Sequence, residues 1–515
     1  MSVVDDRRWW ILAVLCLSLV MVVLGNTVLN VAIPTLIRDL GATSTQLQWM
    51  VDSYALVFAG LLLTAGALGD RFGRKGALVI GLLIFGGASA ASTAATSADQ
   101  LIATRAVMGL GAALVMPATL SILTSVFPPQ ERARAIAVWA GFAGAGAAIG
   151  PIAAGWLLEN FYWGSIFFLN VPIVVVALAA GHRIVPSSRD PEHTRLDLIG
   201  AALSTLGVGA VLFAVIEAPI YGWSDPVTVV ALLVGIGVLV MFGGWELRAE
   251  HPMLDLRYFR DPRFSSASAA ISLVFFAMFG SFFLLTQYLQ VVRSYTPLEA
   301  GLRTLPMALT MMVVAPTSAR LVERFGPRAV VSSGLGIVAL GLALWSFVGT
   351  TTPYVLIALN LVVLAIGMGS TMAPSTASIM ASLPMGRAGV GSAWNDTTRE
   401  LGGAFGVAVL GSVTASHYAS AIDGVGGLPQ PVAEVARESV GAAVQVSQTI
   451  GERGGDLLAA GAKTAFVDGM SLAVLVAAGV AAVAAVLVGR YMPSASTAPT
   501  REGEPLEPAL SQADN

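Results

Sequence analysis

Long apolar blocks constrain this chain more than any other feature of its sequence. Of its 515 residues, 56% are apolar and only 11% are charged, whereas a typical soluble protein carries about 25% charged residues. The apolar residues recur in blocks of about 20, which is the length of an α-helix that crosses a bilayer. The sequence therefore predicts an all-α integral membrane protein.

The composition also argues against several function classes. The net charge is −3, and nothing in the charge pattern indicates a nucleic-acid partner. The single Cys16 lies in an apolar run, so there is no disulfide framework. The sequence contains no phosphate-binding loop, metal-ligand cluster or pair of nucleophile and base. We expect a protein that is not an enzyme and needs no metal or cofactor.

Hydropathy and breaker residues predict fourteen membrane-spanning helices. Helix 1 is expected to stop at Pro34, because proline removes a backbone hydrogen-bond donor. The segment 419–468 is too polar to span, and it is either a solvated loop or a folded cap. The tail 491–515 is rich in Pro, Glu, Ser and Thr, and we expect it to be disordered. The predicted helices lie near residues 9–33, 47–68, 76–97, 101–126, 134–157, 163–184, 198–217, 226–246, 265–290, 300–321, 328–349, 353–381, 391–418 and 469–490.

Basic residues predict the orientation of these helices. With the N-terminus inside, the inner segments hold about 20 Lys and Arg residues and the outer segments hold 6. Because cytoplasmic loops carry the excess of positive charge, both termini and the tail are expected in the cytoplasm, and the segment 419–468 outside. Arginine outnumbers lysine 26 to 2, a bias typical of GC-rich bacterial genomes. We expect a multi-pass protein of the bacterial cytoplasmic membrane.

A dense charged turn follows the second apolar block, and it reads Gly-Ala-Leu-Gly-Asp-Arg-Phe-Gly-Arg-Lys. By itself it predicts a tight turn at the membrane surface, and a plain positively charged loop is one interpretation. Its order of glycines, acid and bases resembles the loop between helices 2 and 3 of the major facilitator superfamily. The resemblance implies a gating motif made of Gly66, Asp70, Arg71, Gly73 and Arg74.

A weaker copy of this turn lies at 319–328, where acid, base, Phe, Gly and base recur in order. Two six-helix halves related by such a repeat are what superfamily transporters use. We therefore predict the major facilitator fold, with halves at 1–184 and 265–490. The segment 185–264 would hold two inserted helices.

Helix 5 carries small residues every three or four positions, including Gly146, Gly150, Pro151 and Gly155. Such a strip lets helix backbones pack very closely. It also looks like the antiporter signature of the superfamily's exporters, with Ala154 in place of one glycine. By physics alone the strip predicts packing, and by resemblance it marks export.

The end of helix 1 is similar to the fourteen-helix drug:proton antiporter branch of the superfamily. Thr27, Asn30 and Pro34 fit its pattern, but Gly25 stands where that branch has an aspartate. A family acid associated with proton or cation handling is therefore missing.

Arg105 in helix 4 matches an arginine that the superfamily keeps, although Met108 replaces the glutamine expected after it. A guanidinium in hydrocarbon is costly and rarely left unpaired. The resemblance implies a buried arginine linked to proton coupling. The alternative is an arginine that snorkels to the outer interface.

Three acids are candidates for the proton site. Asp396 and Glu400 lie four residues apart on helix 13 and so share a face. Two neighbouring carboxylates in a poorly hydrated cavity do not easily stay ionised together, which suits a proton carrier; Glu400 is the leading candidate. The alternative is an ordinary charged helix entry. Asp52 in helix 2 is either on the transport path or a helix-start acid that faces water.

Substrate contacts are predicted from polar and aromatic residues within the helices. Helix 9 carries an aromatic stripe, and aromatic faces attract hydrophobic cations, although such stripes more often face lipid or core. The predicted contacts are Asn26, Asn30, Tyr54, Phe279, Phe283 and Gln287.

Together these features predict a monomeric, proton-coupled antiporter that exports amphipathic, mainly cationic drugs and so confers multidrug resistance. Its partners would be small amphipathic molecules, protons and the lipid bilayer. One alternative keeps the fold and exports a single antibiotic, lipid or metabolite. Another is a membrane-embedded sensor that binds without transport.

Overall fold

Helices make up almost all of the protein in the computed structural model, which describes residues 4–187, 197–250, 252, 255–383, 388–423, 429–449 and 452–494. In these ranges, eleven helical segments are long and apolar enough to cross a membrane. The prediction of an all-α membrane protein is confirmed, while the number of fourteen spans stays a prediction. The helices are α1 (Val4–Leu40), α2 (Ser44–Phe72), α3 (Arg74–Thr93), α4 (Ala98–Val126), α5 (Pro129–Asn160), α6 (Ser165–Phe168), α7 (Asn170–Ile184), α8 (Leu198–Tyr221), α9 (Pro226–Glu246), a 3₁₀ helix (Leu256–Arg260), α10 (Pro262–Gln287), a π-helical turn (Tyr288–Val292), α11 (Pro297–Arg303), α12 (Leu305–Trp345), α13 (Tyr354–Ala381), α14 (Ala388–Asp423), α15 (Gln430–Glu438), α16 (Val440–Ser447) and α17 (Glu452–Tyr491).

Side-chain caps fix where several of these helices begin. Thr43 accepts a hydrogen bond from the backbone N–H of Gln46, whose side chain in turn accepts one from the Thr43 N–H. Asp197 caps α8 by accepting a 2.7 Å hydrogen bond from the backbone N–H of Gly200. Asp225 and Asp261 cap α9 and α10 just before a proline in the first turn. Each cap satisfies backbone donors that a helix start leaves without a partner.

Two glycines with positive φ divide pairs of helices. Gly73 separates α2 from α3 at φ 117°, and Gly326 bends α12 at φ 78°. A side chain is disfavoured in this part of backbone space, so both turns need glycine. The two glycines occupy the same place in the two charged turns, 66–75 and 319–328. The bend at Gly326 divides α12 into the stretches predicted as helices 10 and 11.

The two ends of the described chain lie at the same end of the bundle, which we call the terminal end. There, an ion pair of 3.1 Å between Arg8 Nη2 and Glu131 Oε1 joins the starts of α1 and α5. The backbone of Ser494, just after α17, lies against Gly326 at the bend of α12. Three turns therefore lie at the terminal end as well. They are the turn after α2, the turn after α4 and the bend of α12 at Gly326.

The opposite end, which we call the capped end, is covered by α15 and α16. The Tyr418 hydroxyl donates a 2.7 Å hydrogen bond to the Ala436 carbonyl, and Ser44 Oγ donates one of 2.7 Å to the Glu438 carbonyl. Gly441 in α16 packs against the side chain of Ile37 in α1. The segment predicted as either a solvated loop or a cap is thus a folded cap, which contacts both halves.

Three predicted helix boundaries are wrong. The helix α1 continues through Pro34 to Leu40, α14 continues to Asp423, and α17 begins at Glu452. The predictions followed the apolar blocks, but contacts with the cap support helix beyond them, and a membrane helix tolerates one lost bond at proline. Disorder was predicted for 491–515. The helix α17 continues to Tyr491, so the prediction is wrong at its first residue, and residues 495–515 lie outside the described ranges.

Within the segment predicted to hold two inserted helices, α8 packs beside both halves. Thr205 lies against Gly60 of α2, and Leu212 packs in one apolar cluster with Ala55 of α2 and Ala408 of α14. By contrast, α9 contacts α8 and leaves most of its apolar side chains exposed, as expected for a helix that faces lipid. Of α8 and α9, it is therefore α8 that packs against the rest of the bundle.

Candidate functional site

A fully buried arginine lies at the centre of the N-terminal half. Arg105 Nε donates to the Met50 carbonyl at 3.0 Å, and Nη1 donates to the Gly25 carbonyl at 2.6 Å. The guanidinium also lies 4.3 Å from the centre of the Tyr54 ring. Carbonyl dipoles and an aromatic face therefore hold the charge. Snorkelling to the interface, the alternative weighed from the sequence, does not occur in this conformation.

The space next to Gly25 is filled by neighbouring side chains. This packing leaves no room for the acidic side chain that the resemblance places at position 25. A Cβ at Gly25 would lie 2.7 Å from Cζ of Phe85 and 3.6 Å from Cε of Met108. The Phe85 ring thus fills the place where a carboxylate would begin. Arg105 binds the backbone oxygen at this position in place of an acid.

The two asparagines and the tyrosine predicted as substrate contacts are closed from solvent. Asn30 Nδ2 donates to the Asn26 carbonyl at 3.3 Å, and both side chains are buried. The Tyr54 hydroxyl reaches the Val22 carbonyl at 3.4 Å. In this conformation all three contribute to the interior of the N-terminal half, and their predicted role in substrate binding stays a prediction.

Asp52 lies buried between the two halves. It shares a face of α2 with Gln48, whose side-chain oxygen accepts a 3.1 Å hydrogen bond from Ser412 of α14, and with Ala55, which packs near Ala408 of α14. The Asp52 side chain is 0% exposed, and neither of its oxygens has a hydrogen-bond partner. A helix-start acid that faces water is therefore the wrong interpretation for this conformation.

A second charged group lies on α14 in the C-terminal half. Arg399 Nη1 is 3.5 Å from Asp396 Oδ1, and the guanidinium carbon lies 4.6 Å from the centre of the Phe275 ring on α10. Glu400 lies within electrostatic range of both Arg399 and Arg105. Charged side chains of α4 and α14, which belong to different halves, are therefore near enough to interact electrostatically. We call Arg105, Asp396, Arg399 and Glu400 the charged cluster.

The aromatic residues of α10 are divided between two places. The Phe279 ring lies against Gly403 and stacks on Phe275 at 5.9 Å, which places it beside the charged cluster. Phe283 and Gln287 instead line a cavity of about 20 Å³ at the capped end, under the cap. A cavity of this size holds about one water molecule, so these two residues do not share a substrate pocket with Phe279 here.

The gating motif lies at the terminal end. The Gly73 N–H donates to the Gly69 carbonyl at 2.9 Å, and Lys75 Nζ donates to the His182 carbonyl at 2.7 Å. Gly66 packs against Pro117 of α4 at an ordinary distance. The side chains of Asp70 and Arg71 lie outside the described part of the chain, and the gating role of the motif, Arg74 included, stays a prediction.

The antiporter motif of α5 contacts two different partners. Gly146 and Gly150 face α1, where Gly150 lies against Thr27. Gly155 faces α11 in the other half, and a Cβ there would lie 2.6 Å from the Leu298 Cα. The backbone oxygen of Pro151 approaches Gly301 of α11 in the same way. The motif thus joins helices within one half and also across the two halves.

Hydrogen bonds strengthen the contact between halves at the capped end. Their distances of 2.7–3.1 Å are those of well-formed bonds, so this end of the interface is closed. They are Leu298 N–H to Glu159 Oε1 at 3.1 Å, Gln290 Nε2 to the Val31 carbonyl at 2.7 Å and Ser412 Oγ to Gln48 Oε1 at 3.1 Å.

Arg399 is absent from the site residues predicted from the sequence, although it lies three residues from Asp396. Its position over Phe275 depends on the close approach of α10 and α14, where Gly402 and Gly406 lie against the α10 backbone. The small residues of α14 were the available signal for that approach.

Comparisons with known proteins agree with this fold. The Major Facilitator Superfamily profile matches residues 15–407. The chain is 37% identical to the multidrug efflux pump LfrA of Mycolicibacterium smegmatis, over 94% of this chain and 96% of LfrA. It is 34% identical to the methyl viologen resistance protein SmvA of Salmonella typhimurium, over 91% of this chain and 94% of SmvA.

The fold is also similar to that of a solved transporter. A bacterial homologue of the human lysosomal transporter Spinster, in an inward-facing and unoccupied conformation, matches with a TM-score of 0.67 at 18% identity, over 95% of this chain and 99% of that one. At this identity the likeness shows the fold alone. From the sequence profile, the relatives and the fold together, the chain belongs to the Major Facilitator Superfamily and is a membrane transporter.

Proposed function

We propose that the protein is a fourteen-helix antiporter that exports amphipathic, mainly cationic compounds in exchange for protons. Two relatives along nearly the whole chain are named for multidrug efflux and for methyl viologen resistance. The excess of basic residues at the terminal end supports its location in the cytoplasm. The capped end would then face the outside of the cytoplasmic membrane.

The observation that carries the proposal is the charged cluster between the halves. Arg105 comes from the N-terminal half, and Asp396 and Glu400 come from the C-terminal half. In alternating access the two halves rock against each other around a central site. Charges that belong to different halves therefore change their separation and hydration in each cycle, which is what coupling to proton binding requires.

The closed capped end supports an inward-facing state in the proposed cycle. In that state Asp396 and Glu400 lose protons to the cytoplasm, and the freed carboxylates attract a cationic substrate. When the capped end opens, protons from outside return to the carboxylates and displace the substrate. An ionised carboxylate without a partner is strongly disfavoured in a buried position, so Asp52 couples closure of the capped end to its own protonation.

The pH dependence of efflux tests this assignment. Substitution Glu400→Gln removes the leading proton site and keeps the shape of the side chain, so we expect efflux from reconstituted vesicles to lose most of its pH dependence. Glu434→Gln is a matched control, because Glu434 is exposed in the cap. A pH profile of Glu400→Gln that equals the wild-type profile would remove Glu400 as the proton site.

A dedicated exporter of one antibiotic, lipid or metabolite is the second candidate. It is favoured by the Phe85 ring, which fills the place of the missing helix 1 acid beside Gly25. A site with one acid fewer suits neutral cargo better than cations. A panel of neutral and cationic dyes and drugs separates the two candidates, because a dedicated exporter moves few of them.

A further inference from the structure

Arg399 occupies the place in the charged cluster that has the chemistry of a cation site. Its guanidinium lies over the Phe275 ring at 4.6 Å and beside the Asp396 carboxylate at 3.5 Å. An aromatic face together with an acid is what binds an organic cation. The Arg399 guanidinium thus occupies the position in which an amphipathic cation would be expected to bind.

The two arginines of the cluster are held very differently. Arg105 is fully buried and donates to two backbone carbonyls. The Arg399 side chain keeps 35% of its surface exposed, and its contact with Asp396 is longer than a good charged hydrogen bond. Arg105 is therefore a fixed charge, whereas Arg399 can leave its place at little cost.

The charges of the cluster balance. Asp396 and Glu400 face Arg399 and Arg105 within the same region, and position 25 adds no carboxylate because the Phe85 ring fills that space. A monocation that replaces Arg399 at Phe275 and Asp396 leaves the cluster with one excess positive charge, because the displaced guanidinium stays tethered to α14. A dication leaves two excess positive charges, so the cluster repels it roughly twice as strongly.

We propose that Arg399 is a tethered competitor that holds the cation site of the transporter and limits its substrates to those with at most one positive charge. This inference rests on the proposed function, since it concerns the specificity of the same site. It assigns the specificity to a displaceable arginine and to the aromatic ring beneath it.

Binding of two probes to purified protein tests the inference. The probes are tetraphenylphosphonium, a lipophilic monocation, and methyl viologen, a dication. Wild-type protein should bind the monocation at least about ten-fold more tightly than the dication. In Arg399→Gln, methyl viologen affinity should rise at least about ten-fold, because removal of a like charge within a few ångströms of a ligand in a poorly hydrated site has at least that effect. Tetraphenylphosphonium affinity should rise less.

Two further variants separate a charge effect from a structural one. Arg399→Lys keeps the charge and should keep the wild-type preference for the monocation. Arg437→Gln removes an arginine in the cap, paired with Asp423, and should change neither affinity. Weaker binding of both probes in Arg399→Gln and in Arg399→Lys alike would show a structural role and overturn the inference.

The outcomes also distinguish this inference from the proposed function. Suppose that wild-type protein carries out proton-coupled flux of tetraphenylphosphonium but binds methyl viologen as tightly as tetraphenylphosphonium. The role of Arg399 as a tethered competitor is then wrong, and the proposed antiport stands. Should the wild-type protein and Arg399→Gln bind neither probe and show no flux of either, the cationic substrate class itself is wrong, and the inference is wrong with it.

Discussion

Gly155 is predicted to set the balance between the closed and open states of the capped end. A Cβ at this position would lie 2.6 Å from Leu298 Cα and 2.7 Å from the Pro297 carbonyl oxygen. These are backbone atoms, so they cannot rotate away, and α5 and α11 must move apart by several tenths of an ångström. Overpacking of this kind costs about 1–3 kcal/mol. Because α5 and α11 belong to opposite halves, only the closed state bears the cost, and Gly155→Ala should shift the equilibrium about 5- to 150-fold toward opening.

The shift can be measured by labelling a cysteine under the cap. Ser412, which is buried and bonded to Gln48, is replaced by Cys in a Cys16→Ala background, and a membrane-impermeant maleimide is added from the capped side. Labelling should be several-fold faster with Gly155→Ala. Gly146→Ala is the matched control, since a Cβ there meets Val23 of the same half at an ordinary 3.4 Å. Equal labelling rates in the two variants would refute the assignment of Gly155 to the closed interface.

Three other predictions concern the acids. Partial burial raises the pKa of Glu438, although its side chain still contacts solvent. The docked cap is therefore most stable at acid pH and loses this stability as pH rises through the raised pKa. Hydrogen exchange of residues 430–447 should become faster over that pH range. Glu438→Gln should abolish this pH dependence. Asp52→Asn removes the charge that disfavours closure. The rate of Ser412→Cys labelling, divided by the rate for an exposed cysteine to remove the pH dependence of the thiolate itself, should therefore stop rising with pH; an unchanged pH response contradicts this. Asp70→Asn should impair transport at an unchanged protein level in the membrane, and normal transport would remove the gate assignment.

Much of the architecture follows from local sequence. The start of α9 at Pro226 agrees with the prediction, whereas α10 begins at Pro262, three residues before the predicted start. Asp225 and Asp261, each directly before a proline, are the sequence signals of both starts. The paired turns were readable because only glycine tolerates the positive φ seen at Gly73 and Gly326. The sequence left two interpretations of Arg105, a buried arginine and one that snorkels to the interface. Its hydrogen bond to a backbone carbonyl shows that it is buried.

The arrangement of the site depended on contacts that no local pattern contains. Phe279 and Phe283 are four residues apart on one helix, yet one lies beside the charged cluster and the other under the cap. The difference arises because α14 approaches α10 closely at Gly403, whereas the cap covers the next turn. Likewise, the sequence left two interpretations of Asp52, an acid on the transport path and a helix-start acid that faces water. The contacts of its face of α2 with α14 exclude the second in this conformation.

The same limit applies to the helix boundaries. An apolar block marks the part of a helix that lies in lipid, but α17 begins at Glu452, well before its apolar block, where α16 packs against it. Hydropathy alone therefore underestimates the length of helices that continue into a folded cap.

Flux in reconstituted vesicles tests the central claim most directly. Purified protein is placed in vesicles with an imposed pH gradient, and the movement of an ethidium-like cation is followed with and without an ionophore that collapses the gradient. Proton-coupled antiport predicts uptake that the gradient drives and the ionophore abolishes. Folded protein that moves no cation under the gradient, or moves it equally after collapse, would contradict the account.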